Sequence, residues 1–221
     1  MKIRALKKTY EGRPVLKIPE IELEDGKIIS VIGTNGSGKS TFAKILAGII
    51  KDDEKVKPFV CEGEKNVMPK VGYLPQKPYA FNMSLEKNMN IAGKVEDDIY
   101  SQLKIDHLKN ENAKKLSGGE TARMALGRIL AKDFDLLILD EMSASMDIES
   151  TIISEDLVKK YCERTGASIV VVTHELGQAK RISDYVMFLD KGEIVIFGPT
   201  REILDNPEDE RLRDFINFYG A

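Results

Sequence analysis

Residues 27–49 read KIISVIGTNGSGKSTFAKILAGI, and this stretch decides the fold of the 221-residue chain. The apolar run from Lys27 to Gly33 predicts a strand that is buried on both faces of a parallel sheet. Apolar residues at helical spacing from Ser40 to Ile49 predict the helix that follows. The loop between them fits the pattern G-x-x-x-x-G-K-[S/T], which requires this order of strand, loop and helix. The stretch therefore predicts an α/β fold with a phosphate-binding loop.

The glycine-rich loop has a defined chemistry. Its glycines let the backbone curl so that successive N–H groups face one anion, and the next helix adds its positive end. Lys39 supplies a point charge, Ser40 a hydroxyl for Mg²⁺ and Thr41 a further donor. The alternative is an ordinary glycine-rich turn. The residues predicted to hold the phosphates are Gly33, Asn35, Gly36, Ser37, Gly38, Lys39, Ser40 and Thr41.

A second motif lies about 100 residues downstream, where Leu136 to Leu139 runs into Asp140 and Glu141. Asp140 ends a predicted buried strand, so its carboxylate is expected near the phosphate loop as a metal ligand. Glu141, one position on, is predicted to face the attacking water as a general base. The alternative is an acidic turn after a strand.

A third motif, Leu-Ser-Gly-Gly-Glu at 116–120, satisfies the S-x-x-E capping box from Ser117 to Glu120. The simplest interpretation is a well-capped helix. Gly118 and Gly119 weaken a helix start, however, by roughly 1 kcal/mol each relative to alanine. Bare backbone at a helix N-terminus predicts a second anion site, and two anion sites for one nucleotide suggest that two chains meet face to face.

The rest of the chain predicts one domain, 1–221, of class α/β. Residues 1–76 and 116–221 are assigned to a mostly parallel core with an N-terminal antiparallel β subdomain, and 77–115 to a small helical subdomain. The further predicted strands are Lys2 to Leu6 and Val15 to Glu22 around a turn at 11–14, Leu136 to Asp140, Ser168 to Thr173, and a last strand pair through Ile194 to Phe197. The further predicted helices are Glu120 to Ala131, Ile148 to Arg164, Arg201 to Asp205 and Glu208 to Tyr219.

Bulk composition excludes several classes of protein. The 33 Lys and Arg residues nearly balance 36 Asp and Glu residues, which argues against a nucleic-acid partner. Apolar runs are far shorter than the roughly 20 residues of a membrane-spanning helix, and the start does not read as a secretory signal. Cys61 and Cys162 are isolated, which fits a reducing compartment. A cytoplasmic location is expected.

In this order, the motifs resemble the nucleotide-binding subunits of ATP-binding cassette (ABC) transporters of the prokaryotic importer type, built on a P-loop NTPase core. The resemblance implies that Gln76, in Tyr73 to Gln76, contacts the metal or water and couples the site to a membrane subunit. It also implies that His174 contacts the γ-phosphate, that Asp147 belongs to the loop at the dimer interface, and that Tyr10 stacks on adenine. Tyr10 has a strong alternative as an ordinary strand aromatic.

The resemblance further implies ATP and Mg²⁺ as cofactors and a head-to-tail homodimer formed on ATP binding. In that dimer Ser117 and Gly119 of one subunit bind the γ-phosphate held by the other, and Gly118 belongs to the same nucleotide-binding segment. Glu120 replaces the family's usual glutamine, which predicts weaker closure. Residues 142–146 also depart from the family sequence Pro-Thr-Ser-Ala-Leu, so communication between the two sites is less well supported.

Implied partners are polytopic permease subunits, with Tyr79 to Met83 as a candidate docking surface, and indirectly an extracytoplasmic substrate-binding protein. The chain would then lie peripherally on the inner face of the membrane. The segment 192–200 resembles importers of polar amino acids or small oxyanions and leaves the cargo open. Two alternatives remain: a soluble ABC ATPase serving cell division, repair or translation, and a small-molecule kinase.

Overall fold

A six-stranded sheet forms the centre of the computed structural model, which describes residues 1–60 and 67–219. Its strand order is β10-β9-β5-β8-β7-β6, and every neighbouring pair is parallel except the antiparallel pair β9 and β10. The mostly parallel α/β class predicted from the sequence is confirmed. Cys61 lies outside the described residues. The strands of this sheet are β5 (Ile28–Ile32), β6 (Val71–Leu74), β7 (Leu136–Asp140), β8 (Ser168–Val172), β9 (Tyr185–Asp190) and β10 (Glu193–Pro199).

Helices cover both faces of the sheet, which explains why β5, β7 and β8 are buried at every position. The helices are α1 (Lys39–Leu46), α2 (Leu85–Met89), α3 (Asp97–Gln102), α4 (Gly118–Leu130), α5 (Ile148–Thr165), α6 (Leu176–Ile182), α7 (Thr200–Asp205) and α8 (Glu210–Tyr219). One face of the sheet packs on α4 and α5, the other on α1 and the N-terminal strands, and α6, α7 and α8 pack beside β9. None of those helices has the length and apolar composition that crossing a bilayer requires.

The N-terminal strands pair differently from the prediction. The segments predicted as one hairpin form two antiparallel pairs: β1 (Lys2–Ile3) pairs with β4 (Ile21–Glu22), and the hairpin between them consists of β2 (Leu6–Tyr10) and β3 (Arg13–Ile18). The turn consists only of residues 11 and 12, both with positive φ, as a two-residue hairpin requires. Residues 13 and 14, predicted as turn, therefore already belong to β3.

Helix α1 is shorter than predicted and ends at Leu46. Gly48 has φ 69° and donates to the carbonyl of Ile45, while Ile49 donates to the carbonyl of Lys44. These two bonds form a Schellman C-cap, which stops the helix. Ile49, expected on the buried face, is consequently 55% exposed.

Residues 77–115 contain the short helices α2 and α3 and three 3₁₀ turns at Asn90–Ala92, Asp106–Leu108 and Ala113–Lys115. Their buried apolar side chains, including Leu85, Met89 and Leu103, share one cluster with α4. The placement of subdomain boundaries at residues 77 and 115 stays a prediction.

The sheet topology brings the predicted site residues to one edge of the sheet. Strands β5, β6, β7 and β8 run parallel, so their carboxyl ends meet at one edge of the sheet. The phosphate-loop residues follow β5, Gln76 follows β6, Asp140 ends β7 and His174 follows β8. Four segments far apart in sequence are thereby gathered at the edge where open α/β sheets bind ligands.

Candidate functional site

The phosphate-binding loop opens into a cleft at the carboxyl edge of the sheet. Its backbone requires glycine at position 33, where φ is 150° and a Cβ would overlap the carbonyl oxygen of Leu189. The Ser37 hydroxyl is buried, so the loop turns that side chain away from the cleft. The residues that line the cleft are Val15, Asn35, Gly36, Gly38, Lys39, Ser40, Thr41, Gln76 and Glu141.

Lys39 is held against its own loop. Its Nζ donates to the carbonyls of Gly33, at 2.7 Å, and Thr34, at 2.8 Å. Burial lowers the pKa of the ammonium, and the nearby charges of Glu141 and Asp140 oppose that shift. The loop thus holds a partly desolvated donor at the mouth of the α1 N-terminus, the place where an anion binds.

Asp140 is buried at the end of β7 and hydrogen-bonded through both oxygens. Ser40 Oγ donates to Oδ1 at 3.2 Å, and the Tyr73 hydroxyl donates to Oδ2 at 2.9 Å. Burial raises the pKa of Asp140, the bonds from Tyr73 and Ser40 lower it, and the charge of Glu141 raises it. Burial and the Asp140 charge also raise the pKa of Tyr73, which keeps this hydroxyl a donor.

Tyr73 is a site residue that sequence reasoning missed. It lies three positions before Gln76, and the sequence alone assigns it no role of its own. A tyrosine in a short strand normally reads as packing. Only the pairing of β6 with β7, which aligns Tyr73 with Ile138 two positions before Asp140, reveals its partner.

The three residues predicted to be catalytic meet at one carboxylate. Gln76 Nε2 donates to Oε2 of Glu141, and His174 Nδ1 lies 3.6 Å from Oε1. Glu141 has φ 51°, a left-handed conformation that is uncommon for a non-glycine residue, and its N–H donates to Val172 at 2.9 Å. The strained backbone turns the Glu141 side chain toward the cleft, while Asp140 stays buried.

The oxygen atoms of this edge suit a hard cation. Within the described ranges no group of three or more His, Cys, Asp or Glu side chains could enclose a metal ion. Mg²⁺ does not need such a cage, because it takes one or two protein oxygens and completes its shell with phosphates and water. The Ser40 hydroxyl and the Asp140 carboxylate, 3.2 Å apart, supply such oxygens.

The capping box at α4 is present. Ser117 N–H donates to Glu120 Oε2 at 2.7 Å, and Glu120 N–H donates to Ser117 Oγ at 3.3 Å. The bonds from Ser117 lower the pKa of Glu120, so its carboxylate is charged at neutral pH. Ser117 and Gly118 are exposed, so this helix start is open to a ligand.

The two glycines of this motif differ in whether the fold would tolerate a side chain. A Cβ at Gly119 would lie 2.8 Å from the carbonyl oxygen of Ser145, whereas one at Gly118 would make an ordinary 3.5 Å contact with the Ser145 side chain. Gly119 is therefore required by the loop at 141–147 of the same chain. Tertiary packing is thus a reason for glycine at 119 that does not depend on a ligand, whereas at Gly118 the fold itself leaves room for a side chain.

Asp147 caps α5. Its carboxylate accepts from Ser150 N–H at 2.8 Å and from Ser150 Oγ at 3.1 Å, and these bonds lower its pKa. Arg123 of α4 donates to the same Ser150 hydroxyl at 2.9 Å. The structure thus ties Asp147 to the motif helix α4 and not to the cleft.

Tyr10 ends β2 and is 44% exposed, and the Lys8 ammonium lies 5.1 Å from the centroid of its ring. It does not line the cleft, although Val15 of the same hairpin does. Its contact with adenine stays a prediction, as do the roles assigned to Asp147 and to residues 117–119.

Comparison with known proteins supplies a second line of observation. A family model described as ABC transporter matches residues 16–144. The chain is 31% identical to the arginine transport ATP-binding protein ArtM of Bacillus subtilis, over 98% of both sequences. It is 34% identical to the tungstate uptake system ATP-binding protein TupC of Peptoclostridium acidaminophilum, over 86% of this chain and 94% of TupC.

Among solved structures, the chain superimposes on the ATP-binding cassette MJ0796, described as a dimeric post-hydrolysis state bound to ADP and Pi. The TM-score is 0.75 at 22% identity, covering 90% of this chain and 98% of that one. At this identity the likeness establishes the fold.

Proposed function

Because this chain belongs to the ABC transporter family, we propose that it powers solute import through separate membrane subunits. It is an ATP-binding subunit and an ATPase. The observation that carries the proposal is the arrangement around Glu141: Gln76 and His174 contact its carboxylate, and Lys39 and Asp140 lie close enough to interact with its charge. A nucleotide-binding domain without catalytic function would not need a carboxylate held by two polar partners beside a phosphate loop.

In the proposed mechanism, the loop N–H groups and Lys39 bind the triphosphate. Glu141 accepts a proton from the attacking water, and water then displaces ADP from the γ-phosphorus. Gln76 and His174 orient the Glu141 carboxylate through the contacts described above. Ser40 and Asp140 would hold Mg²⁺, which supplies positive charge to the β- and γ-phosphates when bound.

A second copy is proposed to complete the site. Ser117 and Gly118 present exposed backbone at the start of α4, the end of a helix that attracts anions. Facing the nucleotide of a partner, this end would contact the γ-phosphate, so that two ATP molecules join two subunits head to tail. The dimeric description of MJ0796 supports this arrangement for a protein of the same fold.

A membrane subunit is the second proposed partner. Tyr79 and Phe81 are 59% and 41% exposed, and their rings meet edge-on at 5.0 Å. Arg128 Nη2 donates to the Tyr79 carbonyl at 3.0 Å, and the Lys114 ammonium lies 4.2 Å from the centre of the Tyr79 ring. These contacts hold two large apolar side chains at the surface, which suits a docking helix of a permease.

Docking would place the chain peripherally on the inner face of the membrane, with a substrate-binding protein acting through the permease. ArtM and TupC are described as parts of transport and uptake systems, which favours this function over a soluble role in division, repair or translation. A kinase is disfavoured, because it would need neither the 117–120 motif nor Glu141.

The test is purification of the tagged chain from detergent-solubilised membranes of its own organism. We expect one polytopic membrane protein at fixed stoichiometry, lost when Tyr79 and Phe81 are both changed to Glu and retained in the exposed control Phe218→Glu. ATP turnover should release inorganic phosphate without a phosphorylated acceptor. Recovery only with ribosomes, DNA or division proteins would contradict the transport role.

A further inference from the structure

A buried polar cluster lies behind the catalytic residues and takes no part in the mechanism above. Gln178 of α6 is fully buried, and its Nε2 donates to Ser143 Oγ at 3.1 Å and faces Glu155 Oε1 at 3.4 Å. Glu155 of α5 is also buried and accepts two bonds from Arg181, Nε to Oε2 at 2.8 Å and Nη2 to Oε1 at 2.7 Å. The cluster therefore joins α5, α6 and the loop after Glu141.

The direction of the Gln178 amide is fixed by Glu155. A charged carboxylate can only accept hydrogen bonds, so the amide must turn its NH₂ group toward it. The bidentate Arg181 in turn holds the Glu155 carboxylate in one orientation. Gln178 therefore presents a preset donor to Ser143. Its Oε1 is buried without a hydrogen-bond partner among the described residues, an arrangement that destabilises the fold.

The bond between Gln178 and Ser143 connects the segment that follows Glu141 to the helix that follows His174. Ser143 lies two positions after Glu141, inside a turn closed by Ala144 N–H donating to the Glu141 carbonyl at 3.2 Å. Gln178 lies four positions after His174, in the helix that begins just beyond it. A strained residue such as Glu141 keeps its conformation only where its surroundings enforce it.

We propose that Gln178 is a positioning residue for ATP hydrolysis. Through Ser143 it holds the turn after Glu141 against α6, the helix that begins two residues after His174. This bond would fix the distance between the Glu141 and His174 side chains. Glu155 orients the Gln178 amide, and Arg181 orients Glu155. The inference rests on the proposed roles of Glu141 and His174. It explains why three buried polar groups occupy a place where apolar side chains would pack without unpartnered atoms.

The test compares Gln178→Leu, Ser143→Ala and the double variant in the purified full-length chain. Each single change removes the same bond, so we expect kcat to fall roughly tenfold in both, as for a small misplacement of a catalytic group. The affinity for a fluorescent Mg-ATP analogue should stay within about twofold, since the phosphate loop is untouched. The double variant should fall no further than the more affected single variant, because the two residues act through one bond.

Controls separate positioning from a merely structural role. Ser143→Thr retains the hydroxyl and should keep near wild-type kcat. Lys180→Met changes an exposed neighbour on α6 whose ammonium pairs with Asp205 at the surface, and it should match wild type. Leucine removes the unpartnered Oε1, so the Tm of Gln178→Leu should not fall with kcat.

Three outcomes would overturn the inference: unchanged kcat in either single variant, multiplicative loss in the double variant, or nucleotide affinity and Tm that decline together with kcat. If Gln178→Leu does not fold, Ser143→Ala and Ser143→Thr decide the question between them. Loss of activity in Glu141→Gln tests the proposed catalytic role separately, so a failure of that role and a failure of the positioning role are distinguishable.

Discussion

Gln76 donates a hydrogen bond to the carboxylate of Glu141 across 65 residues of sequence. The bond joins the segment after β6 to the residue that follows β7, and it holds the carboxylate of the proposed general base. Tyr79 and Phe81 follow Gln76 in the same segment of the chain. A membrane subunit docked on that aromatic pair would therefore lie five residues or fewer along the chain from a group that touches the catalytic carboxylate.

Glu141→Gln should stop hydrolysis while leaving nucleotide binding intact. The amide keeps the shape of the side chain but cannot accept the proton of water, so we expect phosphate release to fall by roughly 10²- to 10⁴-fold. Binding of fluorescent Mg-ATP should remain within about twofold of wild type. Glu163→Gln, an exposed change on α5, is the control. Hydrolysis within a few-fold of wild type in Glu141→Gln would refute the assignment.

Tyr73→Phe should weaken the use of Mg²⁺. Loss of a residue that orients a metal ligand typically costs about 10- to 100-fold in metal affinity, and we expect the Mg²⁺ requirement for nucleotide binding to rise in that direction. Binding measured in EDTA should not change. The hydroxyl bond lowers the pKa of Asp140, so its removal raises that pKa further, and the defect should grow as pH falls and the carboxyl protonates.

The control for this variant is Tyr185→Phe, which removes an exposed tyrosine hydroxyl bonded to Glu24. It should leave the Mg²⁺ dependence unchanged. An equal defect in both variants, or one in Tyr73→Phe that shrinks toward low pH, would disprove the role of Tyr73.

Glu120→Gln should strengthen ATP-driven dimerisation. The carboxylate is charged and lies in the first turn of α4, where it opposes the phosphate that this helix end is proposed to bind. Glutamine retains the reach to the Ser117 N–H without the charge. In a Glu141→Gln background, sedimentation with Mg-ATP should show a several-fold lower dimer dissociation constant, about 1 kcal/mol for one screened charge. The exposed change Glu111→Gln should have no effect, and an unaltered dimer in Glu120→Gln would contradict the expectation.

Gly118→Ala and Gly119→Ala should separate binding from folding. A methyl group at 119 collides with the Ser145 carbonyl, so Gly119→Ala should lower the Tm. A methyl group at 118 fits the fold and favours helix by up to about 1 kcal/mol, so Gly118→Ala should keep its Tm yet lose ATP-driven dimerisation. Thermal unfolding and sedimentation measure the two effects. Full dimerisation of Gly118→Ala would argue against the α4 end as a phosphate contact.

Periodicity was sufficient where the local pattern and the tertiary environment agree. The prediction for β7 matches at both ends, and that for α5 differs by one residue, because fully apolar strands and a long amphipathic helix with an aspartate cap leave little choice. The same holds for the capping box of Ser117 and Glu120, whose bonds are local.

The missed features depend on contacts between distant residues. The hairpin register of β2 and β3 depends on two left-handed turn residues that alternation does not reveal. The need for Gly119 comes from Ser145, 26 positions away. Helix α6 was not predicted, and nothing in the local sequence indicates that Gln178 and Glu155 are buried, which is seen only in the packed structure.

Lys39 bonded to its own loop has a consequence for the reaction cycle. When ADP and phosphate depart, the ammonium does not become an isolated cation in a dry crevice, since Gly33 and Thr34 already accept its protons. We therefore expect the phosphate-binding loop to keep its conformation between turnovers. Binding of the next nucleotide then requires no refolding of this loop, so we expect the slow conformational step of the cycle to lie elsewhere, in the proposed approach of the second subunit.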